Sequence, residues 1–139
     1  MMLETGADVC SGHLNGGIMK AILLVDDSST VLLSTSSILT KSGYEVSKAA
    51  SGGEALGLLN NGCKPNLIIT DLNMPGMNGI EFIKAVRLLP AFKFVPILFL
   101  TTESQQAKRA EAKAAGASGW LVKPVTADEL TSTIKLVMK

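Results

Sequence analysis

Asp26, Asp27, Asp71, Thr101 and Lys123 are the residues of this chain whose types and positions could do chemistry together. Asp71 follows the run Leu67-Ile68-Ile69-Thr70, and the chain after it is broken by Pro75, Gly76 and Gly79. A short apolar run closed by such residues reads as a fully buried parallel strand. That reading stands Asp71 at the carboxyl end of the strand, the edge where open α/β sheets bind their ligands. Asp26 and Asp27 close a similar run at residues 21–25, Thr101 closes residues 96–100, and Lys123 follows Trp120-Leu121-Val122. A charged side chain seldom ends a buried strand without a partner or a task. Taken singly, each aspartate reads more readily as a turn residue capping a loop.

The elements between these residues decide whether they can meet. Residues 21–25 form an apolar strand, and Ser28-Ser29-Thr30 offer N-cap hydroxyls to a helix reaching about Lys41, with Val31, Ile38 and Leu39 on one face. Residues 44–49 are of mixed polarity, as an edge strand would be. Gly52-Gly53 precede a helix marked by Ala55, Leu58 and Leu59 and stopped by Asn61-Gly62 and Pro65. After the strand that ends at Asp71, a helix following Gly79 carries Phe82, Val86 and Leu89, and Pro90 closes it. Residues 96–100 are a buried strand, residues 104–115 an alanine-rich helix stopped by Gly116, and residues 120–122 a short strand. Thr126 and Glu129 have the spacing of a capping box for a last helix that buries Leu130, Ile134 and Val137. Strands alternating with helices in this way make a doubly wound α/β fold around a five-stranded parallel sheet, of flavodoxin-like order 2-1-3-4-5.

In that order strands 1 and 3 are neighbours, and the crevice between their carboxyl ends is the topological switch point. Asp26, Asp27 and Asp71 then share one small pocket, where unpaired carboxylates repel. The Lys123 ammonium and a bound divalent cation are the two ways to relieve that repulsion. An all-oxygen donor set with no His or Cys beside it favours Mg²⁺ over zinc, and Mg²⁺ takes phosphate readily as a further ligand. The pocket therefore suits a phosphoryl group held beside a metal.

The bounds agree with a single soluble domain. The chain has 139 residues, 47% of them hydrophobic and 18% charged, with a formal net charge of +1. Nothing in that balance pulls toward nucleic acid or an anionic membrane. No apolar run approaches the roughly 18 residues that would span a bilayer. Cys10 and Cys63 are too few and too far apart for a disulfide framework or a zinc site, so a reduced, cytoplasmic setting is the default. Residues 1–18 contain Gly6, Gly12, Gly16 and Gly17, a lone His13 and no sustained periodicity. They read as an extension or remnant before a domain spanning residues 19–139.

Val25-Asp26-Asp27, the stretch Asp71-Leu72-Asn73-Met74-Pro75-Gly76-Met77-Asn78-Gly79, Thr101-Thr102-Glu103 and Lys123-Pro124 together carry a family resemblance. In this order and at these strand ends they resemble the receiver domains of two-component response regulators, in their stand-alone, CheY-like form. The resemblance covers residues 19–139. It implies that Asp71 accepts a phosphoryl group from the phosphohistidine of a histidine kinase or phosphotransfer protein. It implies that Asp27, Asp71 and the backbone carbonyl of Asn73 bind Mg²⁺ directly, with Asp26 acting mainly through water. Lys123 would bridge to a phosphoryl oxygen, Thr101 would swing its hydroxyl onto another, and the Lys123–Pro124 bond would be cis. Self-dephosphorylation would end the signal, so the chain would be a switch and not an enzyme turning over a separate substrate.

The same resemblance implies a partner surface on the fourth helix, fifth strand and fifth helix of a monomer, with an aromatic three residues before the lysine. Here that aromatic is Trp120, where a tyrosine or phenylalanine is more usual, and an indole needs a partner for its N–H when buried. Trp120 reads either as partly exposed at the partner surface or as packed permanently over the fourth helix. Lys108, Arg109 and Lys113 read as a solvated helix face or as a docking patch, and Thr102 as a strand-end residue or a narrowing of water's route. Met74 and Met77 belong to the loop pattern. The chain ends at Lys139 without a following output module, so the expected output is a protein contact or phosphate shuttling in a relay. A flavin carrier of the same sheet order would need a phosphate-cradling loop where Asp26 and Asp27 stand. An aspartyl phosphatase would want a carboxylic acid at Asn73. A protein-interaction domain that is never phosphorylated would have no use for the intact acidic, Thr and Lys set.

Overall fold

The computed structural model describes residues 20–138; the reading of residues 1–18 as an extension, with Cys10 and His13, lies outside them. The elements are β1 (Ala21–Val25), α1 (Ser29–Lys41), β2 (Glu45–Ala49), α2 (Gly52–Asn60), β3 (Leu67–Thr70), α3 (Gly79–Leu88), β4 (Ile97–Thr101), α4 (Gln106–Ala115), β5 (Gly119–Val122) and α5 (Ala127–Val137), with one 3₁₀ turn at Pro90–Phe92. All strands are parallel and lie in the expected order β2-β1-β3-β4-β5.

The two-residue period of the central strands divides the core between the two sheet faces. Leu23, Val25, Ile68, Ile97 and Phe99 point to one face, covered by α2, α3 and α4 through residues such as Leu59, Phe82 and Ala112. Ile22, Leu24, Leu67, Ile69, Leu98 and Leu100 point to the other, covered by α1 and α5 through Leu32, Leu39, Leu130 and Ile134. Because β1, β3 and β4 are buried on both faces, their sequences are continuous apolar runs with no polar alternation.

Side-chain caps start four of the helices. Ser28 Oγ accepts from the Val31 N–H at the head of α1, and Ser51 Oγ accepts from the Glu54 N–H at the head of α2. Asn78 with Glu81 and Thr126 with Glu129 form reciprocal capping boxes on α3 and α5. Only the second of these boxes is part of the sequence reading. Gly52 and Gly53 belong to the first turn of α2 and do not precede it, because Ser51 takes the cap. The buried stripe of α1 also differs from expectation: Leu32, Thr35, Ser36 and Leu39 face the sheet, and Val31 is only half-buried. Ser36 resolves its burial by donating Oγ–H to the Leu33 carbonyl at 3.1 Å. Helix α4 begins at Gln106, two residues later than expected, and ends at Gly116 in the left-handed conformation at φ 114°.

Two features lie at the amino-end edge of the sheet, opposite the carboxyl edge. Arg87, at the end of α3, donates to the carbonyls of Phe92, Val95 and Gly116, tying α3 to the turn after α4; burial lowers its pKa from the ordinary arginine value. Cys63, just beyond α2, is buried among the core residues of the α2–α3–α4 face.

Gly79 lets α3 begin directly against the Asp71 backbone. Its N–H donates to the Leu72 carbonyl at 2.8 Å, and a β-carbon there would overlap the Asp71 carbonyl oxygen and lie 2.9 Å from Leu72 Cα. Since the obstacle is backbone, it cannot rotate away. Gly79→Ala is expected to cost about 1–3 kcal/mol, the range for overpacking a close-packed site. Urea unfolding checks this, and an unchanged midpoint would mean that α3 can shift freely.

Candidate functional site

Backbone pairing carries the chemical side chains to one edge. The Asp71 N–H donates to the Val25 carbonyl at 3.0 Å, the Asp26 N–H to the Ala49 carbonyl at 3.1 Å, and the Lys123 N–H to the Thr101 carbonyl at 2.8 Å. These bonds extend the β1–β3, β1–β2 and β4–β5 pairings by one residue past the strand ends. Residues from four distant parts of the chain thereby share the carboxyl edge of the sheet.

There, Asp26, Asp27 and Asp71 each direct a carboxylate oxygen to one spot, the three atoms lying within 4.8 Å of one another. Asp26 and Asp71 are buried, while Asp27 is exposed at the mouth. The inner oxygens are held by local amides. Asp26 Oδ1 accepts from the Ser28 N–H at 2.9 Å, and Asp71 Oδ1 accepts from the Leu72 N–H at 2.7 Å. Lys123 Nζ donates to Asp26 Oδ2 at 3.0 Å and lies 3.6 Å from Asp71 Oδ2. One ammonium thus serves two carboxylates and leaves the cluster with surplus negative charge open to solvent on the Asp27 side. Oxygen donors in this number, with no nitrogen or sulfur ligand among them, suit a hard divalent cation.

The other expected residues fall around this cluster. Thr101 is fully buried as the last residue of β4, and its Oγ1 accepts from the Glu103 N–H at 3.3 Å. Asn73 is exposed two residues beyond Asp71, and Thr102 is exposed beside Thr101. The Lys123–Pro124 bond is cis, as the resemblance implies. Met74 is buried and Met77 packs against the core with its Sδ near Gly52, so both methionines are packing residues.

Trp120 meets its hydrogen-bonding need in a way the sequence does not disclose. Its Nε1–H donates to the Glu103 carbonyl at 3.1 Å, and its ring lies 5.1 Å from that of Phe99. It is half-buried and forms one wall of a groove of about 610 Å³ between α4 and β5, with Arg109, Lys113 and Ser118 among the other walls. The indole is anchored at its N–H, and one side of it faces an open groove. Lys108 instead pairs with Glu111 on the exposed face of α4. Glu103 enters the sequence reading only as a member of the Thr101-Thr102-Glu103 stretch, because nothing in its type shows that its backbone and side chain are both engaged.

The electrostatics make a testable statement. Replacing Lys123 with Met leaves Asp26 and Asp71 without their shared cation, and hydrogen bonds to charged groups are worth about 1.5–3 kcal/mol. The variant is expected to lose about that much stability in metal-free buffer, with part of the loss recovered on adding Mg²⁺. Thermal unfolding with and without the ion measures both effects, and equal melting temperatures for variant and parent would contradict the charge argument.

Comparison with known proteins agrees with this geometry. The model of the response regulator receiver domain family matches residues 22–135. Chemotaxis protein CheY1 of Helicobacter pylori is 39% identical over 118 residues, 84% of this chain and 95% of the relative. Protein PilH of Pseudomonas aeruginosa is 33% identical over 120 residues, 86% of this chain and 98% of the relative. Among solved structures, chemotaxis protein CheY4 of Vibrio cholerae superposes with a TM-score of 0.82 at 47% identity, covering 86% of this chain and 98% of that one. With acidic residues, threonine and lysine gathered at the carboxyl edge of a 2-1-3-4-5 sheet, the chain belongs to the response regulator receiver domain family, as a CheY-like phosphoacceptor that switches a partner interaction.

Proposed function

We propose that Asp71 is the acceptor carboxylate, that Asp26, Asp27 and Asp71 with the Asn73 backbone carbonyl hold Mg²⁺, and that Thr101 and Lys123 read the modified state. The observation that carries this is the shared Lys123 ammonium, 3.0 Å from Asp26 and 3.6 Å from Asp71, beside a carboxylate cluster open to solvent. The donor is a phosphohistidine of a histidine kinase or phosphotransfer protein. An Asp71 oxygen attacks phosphorus, its O–P bond forming as the N–P bond breaks, and the departing imidazole keeps the electron pair and takes up a proton. Mg²⁺, when bound, neutralises charge on the transferring group. Lys123 does the same from the β5 side, and positioning with charge stabilisation accounts for the rate. Attack by water on the resulting acyl phosphate returns Asp71 and ends the signal.

The product brings new acceptor oxygens into reach of a lysine and a threonine already at the same edge. Charge-assisted hydrogen bonds are roughly twice as strong as neutral ones, so the Thr101 O–H gains by turning to donate to a phosphoryl oxygen, a turn that carries Oγ1 away from the Glu103 N–H it accepts from at 3.3 Å. The surrounding loops then settle into a second arrangement. The partner surface is the face of α4, β5 and α5 including Trp120, on a monomeric unit of residues 19–139 that acts in the cytoplasm without contacting nucleic acid. No helix among the described residues is long and apolar enough to cross a membrane.

Incubation with Mg²⁺ and acetyl phosphate is expected to add the mass of one phosphate in an acid-labile linkage, and Asp71→Asn is expected to abolish it. A gain that persists in that variant would move the acceptor elsewhere. Lys123→Ala is expected to retain some phosphorylation but to lose the phosphorylation-dependent change in amide exchange along the Thr101–α4 segment. A full response in that variant would separate the lysine from the switch.

A further inference from the structure

The groove between α4 and β5 carries positive charge that nothing in its walls balances, beside an open aromatic face. Arg109 and Lys113 line it from one side of α4, a single helical turn apart, and no carboxylate lines it. The acidic residues nearest along the chain are engaged elsewhere. Glu111 pairs with Lys108 at 3.7 Å on the exposed face of α4, and Glu103 Oε2 accepts from the Gln105 N–H at 3.2 Å. Ser118 adds a donor. Its Oγ accepts from the Ile97 N–H at 3.1 Å, and its hydroxyl proton has no acceptor among the described residues. Trp120 is held from within, by the Phe99 ring at 5.1 Å and by its N–H on the Glu103 carbonyl. Its groove-facing side is therefore fixed in orientation before anything binds.

These groups are ordered along the groove. As the crossover between two parallel strands, α4 runs antiparallel to β5, so Gln106 lies toward the Trp120 end and Lys113 toward Ser118, the residue before β5. One end offers an aromatic face and a side-chain amide that can both donate and accept; the other offers cations and a hydroxyl. We propose that this groove is a binding site for a purine mononucleotide, with its base on Trp120 and its phosphate among Arg109, Lys113 and Ser118. Each part of the ligand follows from a wall. A bicyclic base matches the indole in size and stacks on it. Gln106 pairs with the polar edge of the base. A phosphate monoester carries roughly −1.5 to −2 charges at pH 7, which two cations balance and a triphosphate would exceed. Arg109 brings paired N–H donors to the phosphate oxygens and Lys113 a point charge. The volume of about 610 Å³ falls within the roughly 300–1,000 Å³ of small-molecule sites. None of these residues belongs to the Asp71 cluster, so the inference stands apart from the reading of Asp71 as acceptor. A bound nucleotide would cover the Trp120 side of the proposed partner face.

The full-length protein is titrated with guanosine 5′-monophosphate, with guanosine and with inorganic phosphate. The chain contains a single tryptophan, so quenching of its emission, corrected for absorption against free N-acetyltryptophanamide, reads the base end. The amide resonances of Lys113 and Ser118 read the phosphate end. The expected result is saturable quenching by the nucleotide, with both amides shifting along the same curve. Guanosine and inorganic phosphate are each expected to bind about tenfold more weakly, the factor for losing one stacking or charge-assisted contact. Arg109→Gln and Lys113→Gln, both at exposed positions, are expected to weaken nucleotide binding about tenfold and to leave guanosine binding unchanged. Absence of saturable quenching by the nucleotide would overturn the proposal. Inorganic phosphate binding as tightly as the nucleotide would reduce the groove to a bare anion site, and guanosine binding as tightly would leave the cations no part; either result overturns it. Parental nucleotide affinity in both variants would do the same, since the phosphate would then lie elsewhere.

Discussion

The Lys123 ammonium between Asp26 and Asp71 is the interaction on which the rest of this structure turns. Carboxylates converging to within 4.8 Å of one another, two of them buried, repel unless a cation lies among them. The side chain that supplies it comes from residue 123, 97 positions along the chain from Asp26. It reaches the cluster because β5 pairs with β4, whose last residue accepts the Lys123 N–H. A single ammonium cannot neutralise the whole cluster. The remaining charge suits the edge to a hard divalent cation.

Around that charge cluster the fold is tightly held at Asp71, the proposed acceptor, and less so on the Thr101 side. Asp71 is pinned by its backbone bond to Val25, by the Leu72 amide on its own carboxylate and by α3 starting at Gly79 with no room for a β-carbon. On the opposite side, the segment from Thr101 to α4 is held by long hydrogen bonds of 3.1–3.3 Å converging on one glutamate. An acceptor must stay aligned for displacement at phosphorus, whereas a switch needs contacts weak enough for one added group to redirect. The two requirements are met side by side because they fall to the neighbouring strands β3 and β4.

Much of the architecture is legible from the residues because the physics involved is local. Continuous apolar runs closed by polar residues identify β1, β3 and β4, and the alternation of strands with helices allows few sheet orders. The capping residues of α1 and α5 stand out by type. The misreadings arise where neighbours along the chain do not decide the outcome. Thr35 and Ser36 look like solvent residues, yet they face the sheet because α1 lies at an angle that burial of Leu32 and Leu39 sets. Val31 loses its expected place for the same reason.

Within the site, the sequence by itself determined which residues could meet: one acidic pair and a lone aspartate at strand ends, a threonine and a lysine at two others, and no soft ligand near them. It also determined that the aromatic before Lys123 is an indole with a hydrogen bond to place. Tertiary structure alone decided where that bond goes, that the lysine sits nearer Asp26 than Asp71, and that Glu103 links Thr101, Trp120 and the start of α4. The reason is one of range. Residue type and spacing govern contacts within a turn or a strand, but a bond between an indole and a carbonyl 17 residues away depends on how two strands and a loop pack.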